Sequence, residues 1–215
     1  MIRHQISAAL LALMTQSVFA HDHAKMLEMQ KEMEAEREKE PITLSSESLY
    51  HVQAALVDQQ GKHFKLADEH GPATLITMFY GDCQIACPIA LENVKRTLNA
   101  LPAAQRPQFR ALLISLNPGI DTPAKLSKLA RLHALPASNF RFAVSEKDSQ
   151  THDSNTRELA AALGIKYRRT GNGEVNHSTR FVVIDQRGEI RGSSDKLAIE
   201  PDAQVLHAIQ KQLAN

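Results

Sequence analysis

Residues 73–101 read ATLITMFYGDCQIACPIALENVKRTLNAL, and the order of signals within them decides the fold. The apolar run 73–80 has the length of a strand. Gly71-Pro72 precedes it and Gly81-Asp82 follows it, so it predicts a strand buried on both faces. Pro88 then opens a helical pattern carried by Leu91, Val94, Leu98 and Leu101, which Pro102 closes. Both cysteines of the chain lie in the short loop-to-helix stretch between, Cys83-Gln-Ile-Ala-Cys87-Pro88.

The alternation continues on either side. Residues 109–116 predict a second buried strand. A helix starts at Pro123 behind a Thr122 cap, with Leu126, Leu129 and Leu132 on one face, and residues 140–144 predict a third strand. A helix over 156–163 ending at Gly164, a strand over 181–184, a turn at Asp185-Gln-Arg-Gly188, a partner strand over 189–192 and a helix over 203–213 follow. Upstream, the β-prone runs 48–57 and 61–66 are joined by Asp58-Gln-Gln-Gly61 as an N-terminal β-hairpin. Strands alternating with helices predict an α/β sandwich with a central mixed sheet and helices on both faces.

The chain has 215 residues, enough for one domain plus an extension. Charged residues make up 23% and the net charge is +1, which excludes wholesale disorder and the basic footprint of a general nucleic-acid binder. Three Tyr, seven Phe and no Trp supply few stacking platforms for single strands, so no nucleic-acid partner is expected. Two cysteines cannot build a disulfide framework or a Cys₄ zinc site, so the pair needs its own purpose.

Residues 1–20, MIRHQISAALLALMTQSVFA, have Arg3 in a basic start, an apolar stretch over 6–13 and Val18 and Ala20 placed like a cleavage site. They read as a signal peptide, too short for the ~20 apolar residues of a membrane span, so the expected location is periplasmic or secreted, with an uncleaved anchor as the alternative. Loss of Arg3 with this segment balances the mature chain at 24 basic and 24 acidic side chains. The domain organisation expected is 1–20 signal peptide, 21–41 tail, and 42–215 folded domain.

Cleavage after Ala20 would start the mature chain at His21-Asp22-His23, an amine, two amides and an imidazole suited to Cu(II) or Ni(II). Met26, Met29 and Met33 follow at helical spacing, and their thioethers suit Cu(I). The plainer reading of the tail is a charge-rich linker with a short apolar stripe, or methionines that contact a partner.

Three readings of Cys83 and Cys87 stand open: a structural disulfide, a redox dithiol and a soft-metal site. A bridge across so few residues constrains the unfolded chain little. A thiol at a helix N-terminus is biased toward the thiolate, the form that attacks disulfides and binds metals. Two thiolates and one imidazole would make a site matched to Cu(I). His177, just before the strand 181–184, is placed to supply that imidazole, whereas His63, His70, His133, His152 and His207 lie in polar, loop or terminal-helix contexts.

Three blocks, in order, make the chain resemble the Sco/SenC copper chaperones. Cys83, Cys87 and Pro88 match the family's Cys-x-x-x-Cys-Pro. Residues 117–123, Asn-Pro-Gly-Ile-Asp121-Thr-Pro, match its Asp-Pro-x-x-Asp-Thr-Pro loop with Asn117 in place of the first Asp. Val175-Asn176-His177-Ser178 matches its histidine block ahead of the Asp185–Gly188 turn. The resemblance covers residues 44–213. It implies a thioredoxin-like fold, copper as Cu(I) or Cu(II) held by Cys83, Cys87 and His177, and Asp121 ordering the loop behind them. It also implies a monomer that delivers copper, or reducing equivalents, to a copper-accepting protein such as cytochrome oxidase subunit II. A copper donor or a thiol reductant would serve it upstream. The alternatives are a thiol-disulfide oxidoreductase acting on a partner's metal-ligand cysteines and a copper-sequestering protein that also uses the tail.

Overall fold

The computed structural model describes residues 25–29, 31, 43–146, 153–170 and 174–214. The chain divides into two compact units, Met1–Thr43 and Leu44–Asn215. In the first, residues 25–29 and 31 are helical, and Met26 and Met29 are exposed. His21, His23 and Met33 lie outside the described residues.

The second unit is built in the order β1 (Leu56–Asp58), β2 (His63–Phe64), β3 (Ala73–Phe79), α1 (Ala86–Ala100), β4 (Phe109–Ser115), α2 (Pro123–Leu132), β5 (Phe140–Ser145), α3 (Ser154–Ala162), β6 (Tyr167–Arg169), β7 (Val175–His177), β8 (Phe181–Ile184), β9 (Ile190–Ser194) and α4 (Ala203–Leu213). Seven strands form a sheet ordered β2-β1-β5-β4-β3-β8-β9, and β6 and β7 pair as a separate ribbon. Strands β3, β4 and β5 are parallel, while β1 and β8 join them antiparallel, which makes the sheet mixed.

Alternation along β3 distributes the core. Leu75 and Phe79 face a cluster with Leu91, Val94 and Leu98 of α1, Leu126 of α2 and Val205 and Ile209 of α4. Ile76 and Met78 face the other cluster with Leu159 of α3 and Val175 of β7. A strand covered on both sides has no polar face, hence its continuous apolar run. The side chains of Phe79 and Phe142 meet edge to face with centroids 5.6 Å apart. Register then sets the site: Ala73 pairs with Phe109 and Phe79 with Ser115, so β3 and β4 end level. The loops that follow them start side by side, where ligands bind in open α/β sheets.

Four expectations change. The run 48–57 is a strand only from Leu56. Leu49–His51 is a 3₁₀ turn whose Ser48 hydroxyl accepts from the Tyr50 N–H and donates to the Arg187 carbonyl. Tyr50 donates to the Glu69 carbonyl and packs over the 185–188 turn. Gly188 there has φ +73°, and a Cβ on it would come within 2.7 Å of the Tyr50 ring. Helix α1 starts at Ala86 rather than at Pro88, so Cys87 lies inside the first turn and Ile85 is the N-cap. Leu132 is 77% exposed, because a three-residue spacing precesses about 60° per step around a helix. The ribbon β6–β7, which carries His177, is too short and polar to show as alternation.

Candidate thiol and metal site

The site begins at the end of β3. The Tyr80 carbonyl accepts the Cys83 N–H at 3.3 Å, closing a tight loop. The N-cap Ile85 has no side-chain acceptor, and the sulfur of Cys83 receives the Cys87 N–H at 3.3 Å instead. Both cysteines are free thiols; Cys83 is half-buried and Cys87 is buried. Burial opposes the Cys83 thiolate, yet the amides of Cys87, Ile85 and Ala86 pointing at its sulfur outweigh that and bring the thiol below its ordinary value. Cys87 is driven the other way, first by burial and then by Cys83 beside it. One sulfur is therefore accessible and readily ionised, and its neighbour is enclosed and neutral.

Asp121 stands behind this loop. Its carboxylate accepts from the Gly81 N–H at 2.8 Å and from the Ser115 hydroxyl at 2.5 Å, and it pairs with the Lys125 ammonium at 2.8 Å. Lys125 also reaches Asp82 at 2.7 Å. Burial disfavours the Lys125 charge, but the two carboxylates prevail and hold its pKa above the ordinary value. A Cβ on Gly81 would lie 2.5 Å from Asp121 Oδ1, so only glycine allows this approach.

His177 ends β7 opposite Tyr167. The ribbon is fastened by Ser178 N–H to the Lys166 carbonyl and by Arg169, which donates to Asn117 Oδ1 and the Leu116 carbonyl. His177 Nδ1 lies 3.0 Å from the Ser178 carbonyl. A carbonyl only accepts, so Nδ1 carries the proton and Nε2 keeps the lone pair. Burial lowers the imidazole pKa, with the Ser178 bond working against that, which favours the neutral ring a metal needs. The His177 ring meets the Tyr80 ring edge-on, centroids 6.1 Å apart.

The structure thus brings Cys83 and Cys87 into contact, places Asp121 behind their loop and joins His177 to the same loop through Tyr80. Among the described residues, no three His, Cys, Asp or Glu side chains are gathered as a metal cluster. A cleft of about 480 Å³ opens over Cys83, walled by Tyr80, Asn117, Glu174 and the exposed side chains of Ile85 and Ile120. A larger depression of about 630 Å³ lies at the opposite end of the parallel strands. It contains no thiol, and Arg141 there is paired with Asp58 and Glu69. Tyr80, Gly81, Lys125 and Arg169 were not singled out from sequence. Only Tyr80 and Gly81 carried a signal, their place between a buried strand and the first cysteine.

A model of the SCO1/SenC family matches residues 44–214. A Stutzerimonas stutzeri protein named for copper binding is 25% identical over 144 residues, 65% of this chain and 66% of its own length. The chain therefore spans just under two thirds of that relative. Bradyrhizobium japonicum ScoI, solved with copper bound, superposes with a TM-score of 0.58 at 20% identity, covering 74% of this chain and 96% of that one. BsSco, described as a Sco-family cytochrome c oxidase assembly protein with a disulfide switch, superposes at 0.61 and 18% identity, covering 76% and 93%. The shared fold is the thioredoxin-like one.

Proposed function

Because the chain belongs to the SCO1/SenC family, we propose that it is a periplasmic or secreted copper chaperone. It holds copper through Cys83, Cys87 and His177 and passes it to a copper-accepting protein, with the binuclear copper site of cytochrome oxidase subunit II as the favoured target. The carrying observation is the sulfur pair at the head of α1, where the Cys83 sulfur accepts the Cys87 amide and is poised as a thiolate. Thiolates and a neutral imidazole are soft-to-borderline donors that suit Cu(I). The copper bound in the Bradyrhizobium relative and the oxidase-assembly role of BsSco support the cargo and the target.

Copper is cargo in this reading. Transfer is an exchange of ligands in which a partner's donor replaces Cys83, the accessible sulfur, before Cys87, and Cu(I) keeps its oxidation state throughout. Anaerobic Cu(I) titration of the reduced mature protein against a competing chelator tests it. Cys83→Ala and Cys87→Ala are expected to abolish tight binding and His177→Ala to weaken it. Unchanged affinity in both cysteine variants would overturn the reading.

The contrast between the two thiols favours a second activity at the same pair. The Cys83 thiolate attacks a partner disulfide, forming a mixed disulfide and releasing one partner thiolate. Cys87 then loses its proton and attacks Cys83, releasing the second. Two electrons pass to the partner, whose two thiolates take up the Cys87 proton and one proton from solvent, and the Cys83–Cys87 disulfide must be reduced by an external thiol reductant. Rapid exchange with model disulfides at Cys83 supports this activity, and its absence alongside tight Cu(I) binding refutes it.

A further inference from the structure

Building on the reading of Cys83, Cys87 and His177 as one site, we infer that Tyr80 is the positioning residue that sets the imidazole of His177 against the cysteine loop. Tyr80 follows the last residue of β3 and packs against both hydrophobic clusters, so its backbone and ring base are held by the core. Its carbonyl accepts the Cys83 N–H, which fixes the start of the cysteine loop. Its ring meets His177 edge-on, with centroids 6.1 Å apart and planes at 82°. It also walls the cleft into which Cys83 opens.

His177 is carried by a two-stranded ribbon outside the main sheet. Ladder bonds from the main sheet therefore do not set its position; Arg169 and the Ser178 N–H fasten the ribbon's backbone, and the Ser178 carbonyl holds Nδ1 from the neighbouring residue. The Tyr80 contact acts on the ring from the main sheet, outside the ribbon. One residue thus touches the imidazole with its ring and holds the start of the cysteine loop with its carbonyl. An aromatic edge contact of this kind is worth roughly twofold to tenfold in an equilibrium.

The test is a double-mutant cycle. Cu(I) affinity is measured by chelator competition for Tyr80→Leu and Tyr80→Phe, each in the native sequence and in the His177→Ala background. Tyr80→Leu is expected to weaken binding roughly twofold to tenfold where His177 is present and to leave the His177→Ala protein unchanged. Tyr80→Phe, which keeps the ring and its packing, is expected to retain most of the affinity. Equal losses in both backgrounds, no loss in either, or a loss in Tyr80→Phe as large as in Tyr80→Leu would each overturn the role.

A second readout needs no metal. In the reduced apo protein, the ring protons of His177 are expected to move in the NMR spectrum of Tyr80→Leu and to stay close to their native positions in Tyr80→Phe. Unmoved His177 protons in a folded Tyr80→Leu overturn the contact. Failure of the native protein to bind Cu(I) through its cysteines would overturn the function reading and this role with it. Intact native binding with no Tyr80–His177 coupling overturns the role alone.

Discussion

Replacing Asp121 by Ala isolates the support behind the cysteine loop. The carboxylate side chain is 1% exposed and satisfies the Gly81 N–H, the Ser115 hydroxyl and the Lys125 ammonium. Removing it orphans a backbone N–H and a hydroxyl in the interior, at about 1–3 kcal/mol each. Lys125 keeps Asp82 as a partner, so its charge adds little to the cost. The expected loss is therefore about 2–6 kcal/mol, the cost of the two orphaned donors together.

Asp121→Asn keeps the shape and one acceptor oxygen but loses the charge on its hydrogen bonds, and about 1.5–3 kcal/mol is expected. Urea unfolding of the reduced protein, read by circular dichroism, gives both values. The loop argument adds a kinetic arm. With the Gly81 N–H untethered, the amides that point at the Cys83 sulfur are less well held, so iodoacetamide labelling of Cys83 should shift to higher pH. A stability change under ~0.5 kcal/mol in Asp121→Ala, the size of an ordinary surface substitution, together with an unmoved labelling profile would refute the reasoning.

Gly81→Ala should reproduce much of this from the other side, since the new Cβ meets a buried carboxylate at 2.5 Å and the Lys125 chain at 3.2 Å; its urea midpoint should fall, and combining it with Asp121→Ala should cost less than the sum. In the native protein Cys83 should label at a pH below the ordinary thiol value of 9.0, and Cys87 should resist labelling until the chain unfolds. Because the folded-state pKa of Cys87 is raised, its burial contributes stability that is complete below that ordinary value and is lost as pH rises above it. Alkaline destabilisation should therefore weaken in Cys87→Ala, and equal alkaline slopes would contradict the assignment. Arg141→Ala should destabilise by about 3–5 kcal/mol because it strands the buried partners Asp58 and Glu69. Copper affinity should not change, since that network lies at the opposite end of the parallel strands.

The strands and helices that were legible are those whose burial leaves a local mark. Residues 73–79, 109–115 and 181–184 are mostly apolar because helices or core cover both faces, with Arg110 of β4 the exposed position. The last helix, Ala203–Leu213, announces itself through Val205, Ala208 and Ile209 on one face. Leu49–His51 and the ribbon of β6 and β7 were not legible in the same way. One is held in a 3₁₀ turn by Ser48 and Tyr50 reaching residues far along the chain, and the other is pinned by Arg169 to the end of β4.

The site divides along the same line. Cys83, Cys87 and their place between a buried strand and a helix could be read from sequence alone, because loop, cap and thiol pair are neighbours in the chain. His177 was marked only by its place just before an apolar strand, and the loop around Asp121 could be picked out only as a family resemblance. Tertiary structure alone decided that β3 and β4 end level, so that Asp121 reaches the Gly81 N–H, and that Tyr80 meets His177 beyond the carboxyl end of β3. The physical reason is that strand register and ring contacts are set by packing between distant segments, which leaves no periodicity in either segment by itself.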